Sequence, residues 1–220
     1  MRGYPVRTRV LSSQLIPGAA RALLAALGAP PGHRSLGLIT TDCDDVSYVA
    51  LDEATKHAEV RVVYARSMYA GAANASTALA GEFLGVISGS GPEDVKSGLL
   101  AAERFCADGG CFYSANDDGS IVYFAHCISR AGAYLSALAG IPEGDSLAYL
   151  IAPPSEALVG LDTALKTSAT TLKLFYGPPT ETNFAGGLLT GEQSACRAAC
   201  QAFSQAVLTV AGTPLAVTGG

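Results

Sequence analysis

Five carboxylates of this chain could do chemistry, and they lie at three places in the sequence. Asp42, Asp44 and Asp45 lie directly before a predicted helix. Glu82 follows one long loop, and Glu181 lies inside another. Such carboxylates could pair with a small cation or an ammonium group. They could equally cap the helix and compensate its dipole, and the residue pattern alone favours capping by Asp44 or Asp45.

The sequence contains no pattern that identifies a catalytic centre. The three histidines form no metal-binding or hydrolase motif: His33, His57 and His126. The glycine-rich segment 85–91 lacks the lysine and the spacing of a phosphate-binding loop, so a strand-to-helix turn is the better interpretation. We therefore predict a protein that is not an enzyme, with no catalytic residue and no assigned metal ligand.

The six cysteines show no CxxC or Cys/His ligand spacing. Cys196 and Cys200 stand four positions apart on a predicted helix and therefore share a face. Cysteine commonly acts as a small buried hydrophobe, and this is the role that we predict for all six.

Two long loops join predicted strands at corresponding places in the chain. Residues 67–81 are dominated by alanine, glycine, serine and threonine, and residues 177–187 form the second loop. Both are long for connections between neighbouring strands, which suits either plain surface loops or loops that change conformation.

An internal repeat supplies the elements that must position these residues. A segment beginning at Ser35 and a segment beginning at Ser146 each open with Ser-Leu and an apolar run. Each continues into a helical stretch, with LDEATK at 51–56 and LDTALK at 161–166, and each closes on a strand that ends at Tyr64 or Tyr176.

Periodicity places the elements within each half. Apolar residues at helical spacing predict a helix over 46–57, and alternation from Val60 to Tyr64 predicts a strand. Second helices are expected near 92–107 and 191–211, with Gly191 opening the latter. Each half reads strand, helix, strand, loop, strand, helix, which indicates an α+β fold with an antiparallel sheet. Three copies of such a duplicated chain could close a ring of six wedges around an axial opening.

Composition favours self-association. Hydrophobic residues make up 49% and charged residues only 15% of the 220 residues, so apolar surface remains to be buried between subunits. No run of 18 uncharged apolar residues occurs, which argues against a membrane partner. The net charge of −5 and the absence of a basic patch argue against nucleic acid. We expect a cytoplasmic protein.

Five runs of this sequence strongly resemble the EutL family of ethanolamine-utilization shell proteins from bacterial microcompartments. They are residues 34–57, 62–82, 129–141, 148–166 and 178–200. The resemblance implies two tandem, circularly permuted microcompartment (BMC) domains, each a ferredoxin-like α/β unit, at 1–112 and 113–220. It implies a pseudohexameric homotrimer that tiles with other shell proteins and has a gated central pore for metabolite passage.

The resemblance also implies a small channel in each subunit that binds ethanolamine. Carried over position by position, its residues are Asp44, Asp45, Glu82, Phe112, Thr182, Asn183 and Phe184. The pore-gating loops would include Ser67, Met68, Tyr69, Asn74, Glu181 and Phe184. With this resemblance, ligand binding becomes the preferred interpretation of the acidic cluster. No cofactor is required, and zinc or cobalamin binding is possible for the family but not assignable to residues here.

Two other functions are compatible with the residues. The same duplicated units could form a soluble sensor of small molecules, which would give discrete trimers that never tile. An enzyme could use the acidic cluster as a general base, which would require turnover of ethanolamine or its aldehyde product.

Overall fold

The structure is a computed structural model that describes residues 2–68 and 82–215. They form two compact units. The first contains residues 7–111 and 132–138, and the second contains residues 2–6, 112–131 and 139–215. Relative to the predicted domains 1–112 and 113–220, the short segments 2–6 and 132–138 and the single residue Phe112 belong to the opposite unit.

The first unit is an antiparallel sheet of four strands covered by helices. Its strand order is β2-β3-β5-β4. The strands are β2 (Val10–Ile16), β3 (Ser35–Thr41), β4 (Val60–Ser67) and β5 (Phe83–Gly89). The helices are α1 (Arg21–Ala26), α2 (Asp44–His57) and α3 (Pro92–Arg104), followed by a π-helical turn (Phe105–Gly109).

The second unit repeats this arrangement and extends it. Its six strands follow the order β1-β6-β7-β8-β10-β9, also antiparallel. They are β1 (Pro5–Val6), β6 (Phe112–Ser114), β7 (Val122–Ile128), β8 (Ser146–Ala152), β9 (Thr171–Tyr176) and β10 (Ala185–Gly191). The helices are α4 (Ala133–Ala139), most of which belongs to the first unit, α5 (Pro154–Thr167) and α6 (Gln193–Gly212).

The order β7-β8-β10-β9 reproduces β2-β3-β5-β4, so the predicted repeat and the antiparallel α+β fold are confirmed. The predicted helix and strand of the first half are present as α2 and β4. One boundary was wrong: Gly191 ends strand β10, and α6 begins two residues later because Glu192 is its N-cap. The helix expected at 92–107 ends at Arg104 and continues as the π-helical turn.

Each unit has a separate core between its sheet and its helices. Ile39, Leu51 and Phe83 lie in the first core. In the second, every residue of β8 is buried, consistent with the apolar run from Leu147 to Ala152.

Four cysteines support the prediction that they act as small hydrophobes, since Cys106, Cys111, Cys196 and Cys200 are buried and form no disulfide. Cys43 and Cys127 are only half-buried. Burial raises the pKa of Cys106 to about 12 and that of Cys196 to about 11. These two thiols are therefore protonated and poorly nucleophilic at neutral pH.

A buried carboxylate on α2 holds the start of α4. Asp52 is fully buried and accepts hydrogen bonds from the backbone N–H of Gly132 at 2.7 Å and of Leu135 at 2.8 Å. Thr55, one turn along α2, accepts a hydrogen bond from the N–H of Ala133 at 3.1 Å. Helix α4 is thus capped by side chains of another helix rather than by its own sequence.

The environment of Asp52 leaves no space for a side chain at position 132. A Cβ atom at Gly132 would lie 2.5 Å from Oγ1 of Thr55 and 2.7 Å from the backbone oxygen of Asp52. Burial raises the pKa of the Asp52 carboxyl, while the two N–H donors and then Lys56, whose Nζ lies 3.5 Å away, act in the opposite direction. Those partners are what make a buried carboxylate tolerable at this position.

Replacing this carboxylate should destabilise the protein more than replacing its neighbour. Asp52→Ala leaves two buried N–H groups without acceptors, so we expect the free energy of unfolding to fall by about 2–4 kcal/mol. Glu53→Ala, which removes partly exposed pairs with Lys56 and His57, should cost less than about 1 kcal/mol. Urea denaturation followed by circular dichroism measures both, and equal losses would show that Asp52 does not support α4.

Candidate functional site

The acidic cluster lies in the turn that joins β3 to α2. Asp44 and Asp45 are the first two residues of α2, and both are buried. The N-cap is Cys43, with no side-chain capping hydrogen bond, so the predicted capping by Asp44 or Asp45 was wrong. Because they follow the N-cap, both carboxylates still lie at the positive end of the helix dipole. Oδ1 of Asp44 accepts a hydrogen bond from the N–H of Asp45 at 2.9 Å.

Short hydrogen bonds fix the backbone of this turn. The hydroxyls of Thr41 and Ser47 both donate to the carbonyl of Cys43, at 2.8 and 2.6 Å. Asp42, just before, accepts from both the backbone N–H and the side-chain Nε of Arg9, each at 2.7 Å. Asp42 is therefore paired with Arg9, whereas Asp44 and Asp45 form the first turn of helix α2. The sequence predicted neither the pair of Arg9 with Asp42 nor the hydrogen bonds of Thr41 and Ser47 to Cys43.

Glu82 is positioned beside this turn by the sheet. Its N–H donates to the carbonyl of Thr41, and its carbonyl accepts from the N–H of Met68, both at 2.8 Å. Burial raises the pKa of the Glu82 carboxyl, and the charges of Asp44 and Asp42 raise it further. The structure thus brings the predicted residues Asp44, Asp45 and Glu82 together in one unit.

The charges of Asp44 and Asp45 also contribute to raised pKa values of two neighbouring groups. Burial is the main cause that raises the pKa of the Cys43 thiol, and the charges of Asp45 and Asp44 add to it. The pKa of Tyr48 is also raised, again mainly by burial and less by the same two aspartates. An ammonium group placed here would relieve repulsion among the carboxylates, so the turn favours a small cationic ligand.

The other predicted channel residues lie in the second unit. The ring of Phe112 stacks on Phe124, with centroids 5.4 Å apart, and lies 6.2 Å from the ring of Phe184. Phe112 is buried and Phe184 half-buried, so together they offer an apolar wall.

The backbone before Phe184 forms a compact turn. Thr180 donates its hydroxyl proton to the carbonyl of Phe184 at 3.0 Å and accepts the N–H of Asn183 at its own carbonyl, at 3.1 Å. Asn183 has a φ of +58°, a left-handed conformation that asparagine tolerates. Thr182 is half-buried and Asn183 exposed, so this segment can offer polar backbone and side-chain groups.

The predicted gating loops are described only in part. Tyr69 and Asn74 lie outside the described residues. Ser67 is anchored, because its hydroxyl lies 2.9 Å from the hydroxyl of Tyr48 and its N–H donates to the same oxygen at 3.1 Å. Tyr48 was not among the predicted residues, although its position four residues after Asp44 placed it on the same helical face. In the second loop, Glu181 is exposed.

Neither a metal centre nor a membrane span is found in the described ranges, 2–68 and 82–215. Within them, no group of three or more His, Cys, Asp or Glu side chains could hold a metal ion. No helix formed by these residues has the length and apolar character needed to cross a bilayer.

The chain is similar to known shell proteins along nearly its whole length. Residues 35–116 match the BMC domain family. The bacterial microcompartment shell protein EutL of Clostridium perfringens is 58% identical over 215 residues, covering 98% of this chain and 99% of that protein. The crystal structure of ethanolamine utilization protein EutL from Leptotrichia buccalis superimposes with a TM-score of 0.95 at 60% identity, covering 98% and 100% of the two chains.

A more distant likeness extends the fold to another shell protein. The trimeric microcompartment shell protein PduB has a TM-score of 0.73 at 19% identity, covering 93% of this chain and 89% of that one. At this identity the likeness concerns the fold alone. The identity and coverage of the EutL proteins, together with the duplicated antiparallel fold, show that this chain belongs to the EutL family of bacterial microcompartment shell proteins.

Proposed function

We propose that three copies of this chain form a ring that tiles, with other shell proteins, in the shell of an ethanolamine-utilization microcompartment. The observation that carries this proposal is the duplicated sheet, β2-β3-β5-β4 and β7-β8-β10-β9, in a chain of the EutL family. One chain supplies two similar wedges, so three chains supply six around an axis. An axial opening in such a ring would serve as a metabolite pore.

The small channel of each subunit binds ethanolamine in this proposal. Asp44, Asp45 and Glu82 would counter the charge of the ammonium group, because the field of the carboxylates favours a small cation. Phe112, with the segment 182–184, would supply apolar packing and backbone contacts. Ethanolamine is small, so a few charged and apolar contacts suffice to select it.

In this proposal the channel residues also influence the two loops. Glu82 follows the connection from β4 to β5, and residues 182–184 lie in the connection from β9 to β10, directly before Ala185. Bound ethanolamine would favour one loop state and so couple channel occupancy to pore opening. Such coupling requires a difference in affinity between the two states of about 1.4 kcal/mol for each tenfold shift in population.

Shell formation is the role that we assign, without catalysis or a required cofactor. Zinc and cobalamin remain without assigned residues. The sensor interpretation finds no support among the relatives, which are shell proteins.

The purified protein should form trimers that tile. Sedimentation velocity should give a species of about 67 kDa, three times the chain mass of 22.3 kDa. Electron microscopy at higher concentration should show sheets, tubes or hexagonal arrays. Discrete trimers that never tile would favour the sensor, and a stable monomer would contradict the ring.

Removing the charge of Glu82 should weaken ethanolamine binding. We expect Glu82→Gln to reduce the affinity by about tenfold, because the ammonium group loses one charged partner. Isothermal titration calorimetry measures the change. Glu143→Gln is the matched control, since Glu143 is exposed and lies outside the proposed channel. Unchanged affinity in Glu82→Gln would remove this carboxylate from the site.

Binding should also weaken in acid, at a pH above that expected for an ordinary glutamate. The pKa of Glu82 is raised, so its carboxyl takes up a proton earlier as the pH falls, while the primary amine of the ligand stays protonated. Calorimetry across the acidic range should show this loss of affinity. The Glu82→Gln variant should lack this part of the pH dependence, and an identical profile in both proteins would assign the titration to another group.

A further inference from the structure

Arg9 is tied to the acidic turn by three hydrogen bonds. Its side-chain Nε donates to Oδ2 of Asp42 and its backbone N–H donates to Oδ1, each at 2.7 Å. In return, the backbone carbonyl of Arg9 accepts the N–H of Asp42 at 3.2 Å. The two residues are 33 positions apart in the sequence, so these contacts fix the segment before β2 against the turn between β3 and α2.

The ion pair is not what holds this segment in place. The side chain of Arg9 is 77% exposed and that of Asp42 is 28% exposed, and an ion pair with so exposed a partner contributes little to stability. The two hydrogen bonds made by the backbone of Arg9 do not depend on its guanidinium group. A substitution that removes only the guanidinium group should therefore leave the turn and its contact with the segment before β2 intact.

Asp42 acts on the proposed ethanolamine site through its charge. Its neighbour Thr41 accepts the N–H of Glu82 at 2.8 Å, which brings Glu82 beside the turn. The pKa of the Glu82 carboxyl is raised by burial, then by the charge of Asp44, and also by the charge of Asp42. The field of Asp42 thus reaches the place at which the ammonium group of a ligand would bind.

Arg9 weakens the field that Asp42 exerts at that place. A guanidinium group in direct contact with a carboxylate cancels most of the field of that carboxylate at a distance, because the two charges are opposite and close together. Asp42 therefore attracts a cationic ligand less than its formal charge would suggest.

The size of this effect depends on the charge of the ligand. At the same distance, a doubly charged ligand has twice the electrostatic interaction energy of a singly charged one. The positive charge of Arg9 therefore disfavours a dication more than a monocation. Repulsion of this kind is a source of specificity, because it rejects one ligand without requiring new contacts to the other.

We propose that Arg9 sets the charge selectivity of the acidic turn, so that the turn accepts a singly charged ammonium ligand and disfavours a doubly charged one. The informative competitor is ethylenediamine, which has the length of ethanolamine and carries a second amine in place of the hydroxyl. The inference rests on the proposed ethanolamine site, and it adds to that site a residue that acts through the carboxylate of Asp42 rather than by touching the ligand.

The test compares the affinities of the full-length protein for ethanolamine and for ethylenediamine. Isothermal titration calorimetry measures both at one pH, chosen so that both amines of the diamine are protonated. We expect removal of one nearby charge to change affinity about fivefold for each unit of ligand charge. Arg9→Gln should therefore strengthen ethanolamine binding about fivefold and diamine binding about 25-fold, which shifts the ratio of the two affinities about fivefold towards the diamine.

Three further variants separate the charge of Arg9 from its other properties. Asp42→Asn should shift the ratio away from the diamine, since it leaves the charge of Arg9 without its partner. The double variant Arg9→Gln/Asp42→Asn removes a neutral pair, so its ratio should return close to that of the parent protein. Arg9→Lys keeps the charge and should keep the parent ratio.

Arg7→Gln is the matched control. It removes the same charge two residues away, where the guanidinium group donates to the backbone carbonyl of Ala107 at 2.8 Å. We expect this variant to keep the parent ratio of affinities. An equal shift in Arg7→Gln and Arg9→Gln would overturn the proposal, because the effect would then reflect the total charge of the protein.

Thermal unfolding by circular dichroism confirms that each variant is folded, and either single variant of the Arg9–Asp42 pair decides the question if the other fails to fold. A parent protein that binds ethanolamine, with a ratio that these variants leave unchanged, would overturn the role of Arg9 and keep the site. A parent protein that binds no ethanolamine would instead remove the proposed site itself.

Discussion

The buried carboxylate of Asp52 holds the start of a helix that comes from the other half of the sequence. Residues 132–138 follow β7 in the chain, yet they belong to the unit built from residues 7–111. Their backbone N–H groups reach Asp52 and Thr55, and Gly132 leaves space for that approach. Since a buried N–H without an acceptor costs about 1–3 kcal/mol, this contact strongly specifies where the segment docks. A duplicated unit that needs such a covering helix is suited to repetition around a ring.

The acidic turn serves a different purpose. Thr41, Ser47 and Arg9 fix the backbone and the first carboxylate, and the remaining carboxylates are left close to one another. Burial raises the pKa of the Glu82 carboxyl, and the charges of Asp44 and Asp42 raise it further. Tyr48, one turn into α2, is hydrogen-bonded to Ser67 at the end of β4.

Much of the fold could be predicted from the sequence, because the repeat and the apolar periodicity report directly on strands and helices. The position of residues 132–138 could not, since the apolar pattern of α4 does not say which sheet it joins. The capping interpretation of Asp44 and Asp45 failed for a related reason: the N-cap is decided by backbone geometry at Cys43, one residue earlier. The three predicted carboxylates do lie together, because one turn and one strand end meet at Thr41. A partner that is distant in sequence, such as Arg9 for Asp42, produces no local residue pattern from which the contact could be predicted.

The short ribbon of β1 and β6 makes the two halves of the chain unequal. It adds two strands beyond β7, whereas β2, the equivalent of β7, ends its own sheet. Tyr4, Val6 and Tyr113 are exposed along this ribbon. A ring of three chains would therefore have threefold rather than sixfold symmetry, because its six wedges would be of two alternating kinds. A layer built from such rings would inherit this lower symmetry.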